Sequence, residues 1–249
     1  MTDAVITVKD LTMAYGDFVV QRDLNFTINR GDIFIVMGGS GCGKSTLMNH
    51  LVGLQQPATG QVFYGSESYW EEDDDGQHRL KKRFGVMYQS GAMWSSMTLS
   101  ENIALLLEQY TDLSAARIRK VAALKLALVG LGGFEDYYPS EISGGMLKRA
   151  GIARAMAMDP DILFFDEPSA GLDPISSRNL DDLILQLRDS LGTTMVVVTH
   201  ELASLFTIGN NSVFLDAGQK TMIAQGDPHI LLKECENPTV RAFLTRGES

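Results

Sequence analysis

Cysteine is nearly absent from this 249-residue chain: Cys42 and Cys235 are its only two, so no disulfide framework holds it together. Basic residues are in the minority, 21 Lys and Arg against 31 Asp and Glu, which gives a net charge of −10 and a pI near 4.8. That balance argues against non-specific binding to nucleic acid or to an anionic membrane surface, so any polyanion must be held locally. Long hydrophobic runs are also missing. Stretches such as 33–37 and 103–107 fall far short of the roughly 18 residues that a membrane span requires. The stretch around Asp3 has no basic segment ahead of an apolar one, so no export signal is expected, and a reducing cytosol is the expected compartment. What remains, 45% hydrophobic and 21% charged, suits an ordinary globular chain of one or two domains.

Residues 4–37 read as strands: Val5, Ile6 and Val8, then 18–20, then Phe26 and Ile28, then an apolar 33–37, punctuated by Tyr15-Gly16 and Arg30-Gly31. An antiparallel start thus feeds one buried strand, which runs through a glycine-rich loop into a helix predicted over 44–54, stopped by Gly53 and Pro57. The polar segment 66–77 contains Glu71-Glu72-Asp73-Asp74-Asp75 and reads as a solvated loop or insertion, too charged to pack. From 100 to 158 helical spacing dominates, including Ile118, Val121, Ala122, Leu124, Lys125 and Leu128, while both flanks alternate strand and helix. The middle therefore reads as a helical insertion. Beyond it the pattern predicts a strand at 162–165, then a helix with Leu180, Leu183, Ile184, Leu187 and Leu191 on one face, and a buried strand at 195–198. A hairpin pairing 213–215 with 222–224 across Ala217-Gly218 and a helical end from Pro228 complete the chain.

Gly38-Gly39-Ser40-Gly41-Cys42-Gly43-Lys44-Ser45 fits G-x-x-x-x-G-K-[ST] at every position, between a predicted strand and a predicted helix. Glycines let backbone N–H groups turn inward around phosphate oxygens, and the helix N-terminus adds its partial positive charge. Lys44 then neutralises the β and γ phosphates and the Ser45 hydroxyl ligates Mg²⁺, with Thr46 next in line. Cys42 is a small residue filling space in this loop, or a thiol whose pKa is lowered by electropositive surroundings. The strand at 162–165 ends in Asp166-Glu167. Alternation sends these two side chains in opposite directions, so they take different tasks. Asp166 suits Mg²⁺, and Glu167 suits positioning and deprotonating an attacking water. His200 follows the 195–198 strand, where it can reach the γ-phosphate or that water. Ser143-Gly144-Gly145 opens a helix and offers free N–H groups to a second phosphate site. One chain cannot wrap a single nucleotide from both places.

With these motifs in this order, the chain resembles the nucleotide-binding subunits of ATP-binding cassette (ABC) transporters over nearly its whole length. Ser143-Gly144-Gly145-Met146 resembles the signature motif, Gln89 the Q-loop glutamine, Gly171-Leu172-Asp173 the D-loop, His200 the switch histidine, and Tyr15 the aromatic that stacks on adenine. The resemblance implies an α/β fold: a phosphate-loop core over 1–91 and 159–249, an N-terminal antiparallel β-subdomain, and an α-helical subdomain over 92–158. It further implies ATP and Mg²⁺ as ligands, Gln89 on the metal or the water, and two copies head to tail, each signature motif completing the other copy's site. Met146 departs from the usual glutamine and cannot make its hydrogen bonds. Together with Gln89-Ser90-Gly91-Ala92-Met93-Trp94 and the basic Lys148-Arg149, it is similar to the ATPases of Mce-type lipid transport systems, such as those that maintain lipid asymmetry in Gram-negative bacteria. That likeness implies a phospholipid or other hydrophobic cargo, two membrane permease subunits, an Mce-domain protein and a peripheral place on the cytoplasmic face of the inner membrane. No nucleic acid is implied. Ala92-Met93-Trp94 either lines the groove for a permease helix or packs in the core. Residues 237–244 resemble the tail of the same ATPases, whose longer extension reaches the partner ATPase or a small accessory protein.

Overall fold

The computed structural model describes residues 3–89 and 91–246, so Ser90 of the Q-loop run lies outside the described residues. A first antiparallel sheet is built from β1 (Ala4–Tyr15), β2 (Phe18–Asn29), β4 (Thr59–Tyr64) and the short β5 (Glu67–Ser68), in the order β2-β1-β4-β5. The separate apolar clusters of residues 18–28 merge into the single strand β2, which turns back on β1 through Tyr15 opposite Phe18.

The second sheet has six strands in the order β10-β9-β3-β8-β7-β6. They are β3 (Ile33–Gly38), β6 (Phe84–Met87), β7 (Ile162–Asp166), β8 (Thr194–Val198), β9 (Asn211–Asp216) and β10 (Thr221–Gln225). All pairings are parallel except the β9–β10 hairpin. Every residue of β3 is buried because both faces are covered. Phe34 and Val36 pack with Val196, Val198 and Phe164 toward α1 (Lys44–Leu51) and the first sheet. Ile35 and Met37 join Val197 and Phe165 on the other side, beneath the helices.

Those helices are α3 (Leu99–Tyr110), α4 (Ala115–Leu128), α5 (Gly144–Ala155), α6 (Pro174–Leu191) and α7 (Leu202–Ile208), followed by α8 (Pro228–Glu234) and α9 (Pro238–Leu244). Leu180, Leu183, Ile184 and Leu187 of α6 are buried as their spacing predicts, whereas Leu191 at the helix end is exposed. Among the described residues, no helix is long and apolar enough to cross a membrane.

The acidic segment departs from expectation. Instead of a solvated loop, residues 74–81 form the helix α2 (Asp74–Lys81). Asp73 caps it, accepting from the Gly76 N–H at 2.8 Å, and Asp74 and Asp75 sit in the first turn, where carboxylates offset the helix dipole. Tyr69 just before it is fully buried. The helix after the phosphate loop ends at Leu51, earlier than predicted, with Val52 as its C-cap.

Candidate functional site

Strands β3, β8 and β7 are neighbours in the parallel sheet, so the loops leaving their carboxyl ends converge. β3 delivers the glycine loop, β7 delivers Asp166 and Glu167, and β8 leads to His200. A cleft of about 690 Å³ lies over this edge, lined by residues 38–41 and 43–46, Gln89, Glu167 and His200. Aromatic rings complete its wall: Tyr15, Phe18 and Phe243. Tyr15 is 55% exposed, so it faces the cleft and is not core packing.

Gly41 and Gly43 take φ values of +74° and +98°, a region open to glycine at no steric cost. A side chain at Gly43 would also meet Val20 Cγ1 at 2.7 Å. Gly43 is the N-cap of α1, with no side chain capping the first turn, so those N–H groups are left for an anion. Lys44 Nζ donates to the carbonyls of Gly38 and Gly39 at 3.0 and 3.1 Å, which keeps the ammonium on the loop. Cys42 is different: it is buried, and burial pushes its thiol up against the pull of Lys44. Its side chain fills space and is not among the cleft's lining, so Cys42 brings only its backbone to the loop. Its carbonyl accepts from the fully buried Gln21 Nε2 at 2.7 Å, which also donates to the Asp216 carbonyl at 3.0 Å.

The two carboxylates point apart. Asp166 Oδ1 accepts from the Ser45 hydroxyl at 3.4 Å. Its carboxyl is pushed up by burial and then by Glu167, with Ser45, Lys44 and Lys148 opposing. A hydroxyl beside a carboxylate whose ionisation is opposed is an all-oxygen donor set that a hard divalent cation would relieve, so Mg²⁺ fits here. Glu167 sits at φ +49°, a conformation costing roughly 1–3 kcal/mol for a residue with a side chain. Its Oε1 is 2.8 Å from His200 Nδ1. The buried Oε2 has no partner among the described residues, and buried carboxylate oxygens are normally bonded. Glu167 lines the cleft wall, and this buried oxygen keeps an unfilled acceptor site there.

Two expected groups lie elsewhere. Ser143 caps α5, its hydroxyl accepting from the Met146 N–H at 3.3 Å, and Ser143 and Gly145 line a second cavity of about 600 Å³ with Arg149 and Ser176. Asp173 caps α6 through Ile175 and Ser176, both N–H groups at 3.0 Å. Hydrogen bonds from the Ser176 hydroxyl and backbone hold its carboxyl below the usual range. Ser143 and Gly145 thus line a cavity apart from the phosphate-loop cleft, and Asp173 is bonded to Ser176 on its wall. Near the Q-loop, Met93 packs against the core, while the Trp94 ring is exposed and the Trp94 backbone N–H donates to Asn102 Oδ1 at 2.7 Å.

Sequence reasoning missed Phe18, Phe243, Gln21 and the reach of Lys148. Phe18 was findable, being the first strand residue after the Gly16-Asp17 turn. Phe243 was not, because 205 residues or so of chain separate it from the loop it approaches, a distance only folding removes.

The ABC transporter family profile matches residues 21–170. The chain is 38% identical over 96% of its length to a "probable ribonucleotide transport ATP-binding protein mkl" of Mycobacterium tuberculosis, and spans 66% of that longer protein. It is 36% identical over its whole length to the "intermembrane phospholipid transport system ATP-binding protein MlaF" of Haemophilus influenzae, covering 93% of it. Among solved structures it resembles the dimeric ATP-binding cassette MJ0796 in a post-hydrolysis state with ADP and Pi, at a TM-score of 0.79 and 28% identity, covering 89% of this chain and 98% of that one. By the profile match, by relatives of this similarity, and by a glycine loop, carboxylate pair and histidine on three adjacent strand ends, this chain belongs to the ABC transporter family.

Proposed function

We propose that this chain is the ATP-hydrolysing subunit of a membrane transporter that moves phospholipid or another hydrophobic cargo in an Mce-type system. The observation that carries the hydrolytic reading is Glu167 on the cleft wall, bonded to His200 through one oxygen while the other, buried, has no partner among the described residues. Residues 38–46 cradle the phosphates through backbone N–H groups, Lys44 supplies charge, and Tyr15 stacks on the adenine. Ser45, Asp166 and Gln89 would hold Mg²⁺, which neutralises charge on the phosphate oxygens when bound. Glu167 orients the attacking water and accepts its proton, while His200 fixes the Glu167 carboxylate and reaches toward the γ-phosphate.

Two copies close head to tail, so that Ser143, Gly144, Gly145 and Asp173 of one meet the nucleotide of the other. Their separation from the phosphate loop within one chain supports this, as does the dimeric state of MJ0796. The assignment of 1–91 and 159–249 as core and 92–158 as helical subdomain follows the same reading. Two permease subunits dock where the two parts meet, in a groove of about 420 Å³ that includes Tyr88 beside Gln89, with Lys81, Lys82 and Arg154 on its wall. The ATPase then sits at the cytoplasmic face of the inner membrane, linked through the permease to an Mce-domain protein and, on the C-terminal side, to a small accessory protein. Phospholipid is favoured over the ribonucleotide in the name of the mycobacterial relatives because MlaF matches across 93% of its own length.

The test is Glu167→Gln, which keeps shape and removes basicity. It should bind ATP, hydrolyse it poorly and hold the dimer closed. A mild-detergent pull-down of this variant with ATP and Mg²⁺ should recover a polytopic permease, an Mce-domain protein and phospholipid; recovery of ribosomes or another class of permease would overturn the lipid reading.

A further inference from the structure

We infer that Lys148 is a positioning residue for ATP hydrolysis, its buried ammonium tying the signature helix α5 to the backbone of both Gln89 and Glu167. The inference rests on the hydrolytic reading of Glu167. Lysine is seldom buried without a purpose for its charge, yet Lys148 is only 8% exposed. Its Nζ donates to the carbonyl of Gln89 and to the carbonyl of Glu167, the latter at 3.4 Å. The two acceptors come from segments 78 residues or so apart in sequence, and both residues line the cleft. Among the described residues no carboxylate lies within ion-pair distance of this ammonium, so main-chain carbonyls take its hydrogen bonds, while at longer range its charge favours the Asp166 and Glu167 carboxylates.

The effect follows from the strain at Glu167. A residue with a side chain persists at positive φ only where its surroundings over-determine it. Here the Glu167 N–H is held by the Val198 carbonyl at 2.9 Å, and the Glu167 carbonyl accepts from both the Ala170 N–H at 3.2 Å and Lys148 Nζ at 3.4 Å. Removing Lys148 leaves this carbonyl on the Ala170 N–H alone, a looser hold that lets the backbone relax toward negative φ and swings the carboxylate away from His200. The same helix face carries Gly151, where a side chain would lie 3.1 Å from Gly91 Cα; α5 is thus seated directly on the Q-loop. Ser143 at the start of α5 faces the second cavity. A shift of this one helix therefore moves the main chain of Gln89 and Glu167 together, which links the surface offered to a partner copy with the chain's own carboxylate.

The test is steady-state ATP hydrolysis by the full chain carrying Lys148→Met or Lys148→Arg. Lys148→Met should leave the KM for ATP within about twofold, since the phosphate loop is untouched, and lower kcat by about tenfold, equal to about 1.4 kcal/mol of barrier. Lys148→Arg keeps a cation with several donors and should recover most of the loss. Lys148→Met with kcat per folded molecule within about twofold of the parent, whatever its melting temperature, would overturn the inference. So would an arginine variant as impaired as the methionine one. Should Lys148→Met fail to fold, Lys148→Gln is held to the same criteria. Glu167→Gln separates the two readings: full turnover in that variant overturns the role of the carboxylate itself, whereas lost turnover there beside an active Lys148→Met overturns only the positioning.

Discussion

Asp181 is a buried carboxylate on α6, 4% exposed, and its Oδ1 has no partner among the described residues. Burial pushes it up to about 6 from 3.8, with Asp182 adding to the rise and the Ser204 hydroxyl and Arg178 opposing it. Ser204 belongs to α7, the helix that begins two residues after His200. Because the folded state holds the proton more tightly than the unfolded chain does, folding is strengthened as pH falls through the folded value and weakened as pH rises through it. The rise of about two units corresponds to about 3 kcal/mol when fully expressed in acid, and about 1.4 kcal/mol of this is present at about pH 5. Asp181→Asn removes the titration and keeps the shape. Urea unfolding of parent and variant should therefore give a stability difference that changes by about 1.4 kcal/mol between about pH 8 and about pH 5, the parent gaining on the variant in acid. Titrations elsewhere cancel in the comparison. A difference that stays flat across that range would refute the reasoning and mean that Asp181 is solvated or paired in solution.

Tyr15→Ala should raise the KM for ATP about fivefold, equal to roughly 1 kcal/mol of lost stacking, with the melting temperature unchanged because the ring is exposed. Gly85→Ala should destabilise the fold by roughly 1–3 kcal/mol in urea unfolding, since its Cβ would clash with the Ala155 carbonyl oxygen; an unaffected midpoint would mean β6 and α5 stand further apart. A thiol reagent applied to the native chain should label Cys235 promptly and Cys42 only on unfolding, because Cys42 is buried and its thiol pushed up; prompt labelling of both thiols by mass would contradict that. Lys44→Ala should abolish ATP turnover, and substantial residual hydrolysis would mean the phosphate loop is misassigned.

Local chemistry made much of this protein legible from sequence alone. The glycine loop needs its residues in one continuous run, so Gly38 through Ser45 announced both the structure and the ligand. Different tasks for Asp166 and Glu167 were expected from strand alternation; Glu167 in fact lies just beyond β7 at positive φ, and the two carboxylates take different partners, Ser45 and His200. Sheet strands buried on both faces read as apolar runs, which is why 33–37, 162–165 and 195–198 were visible. The acidic run 71–75 was not, because the same carboxylates that look unpackable are what a helix N-terminus accepts. Whether Asp73 caps a helix depends on Leu80 and Tyr69 finding a core to anchor it, and that core comes from distant strands.

Tertiary structure decided the rest. The order β3-β8-β7 brings three remote segments to one edge, since parallel strands place their loops at the same end. Cys42 could have been a reactive thiol or a filler by sequence; only the packing under Gln21 and Leu215 made it a filler. Phe243 reaches the cleft because α9 folds back against Phe214 of β9, ring to ring at 5.2 Å. Lys148 is one basic residue among several in the sequence, and its length and charge acquire meaning only where α5 lies across the carbonyls of Gln89 and Glu167. Motifs are written in consecutive residues because backbone loops need them so, whereas the contacts that tension a site join residues from different elements, and no spacing along the chain records which elements will touch.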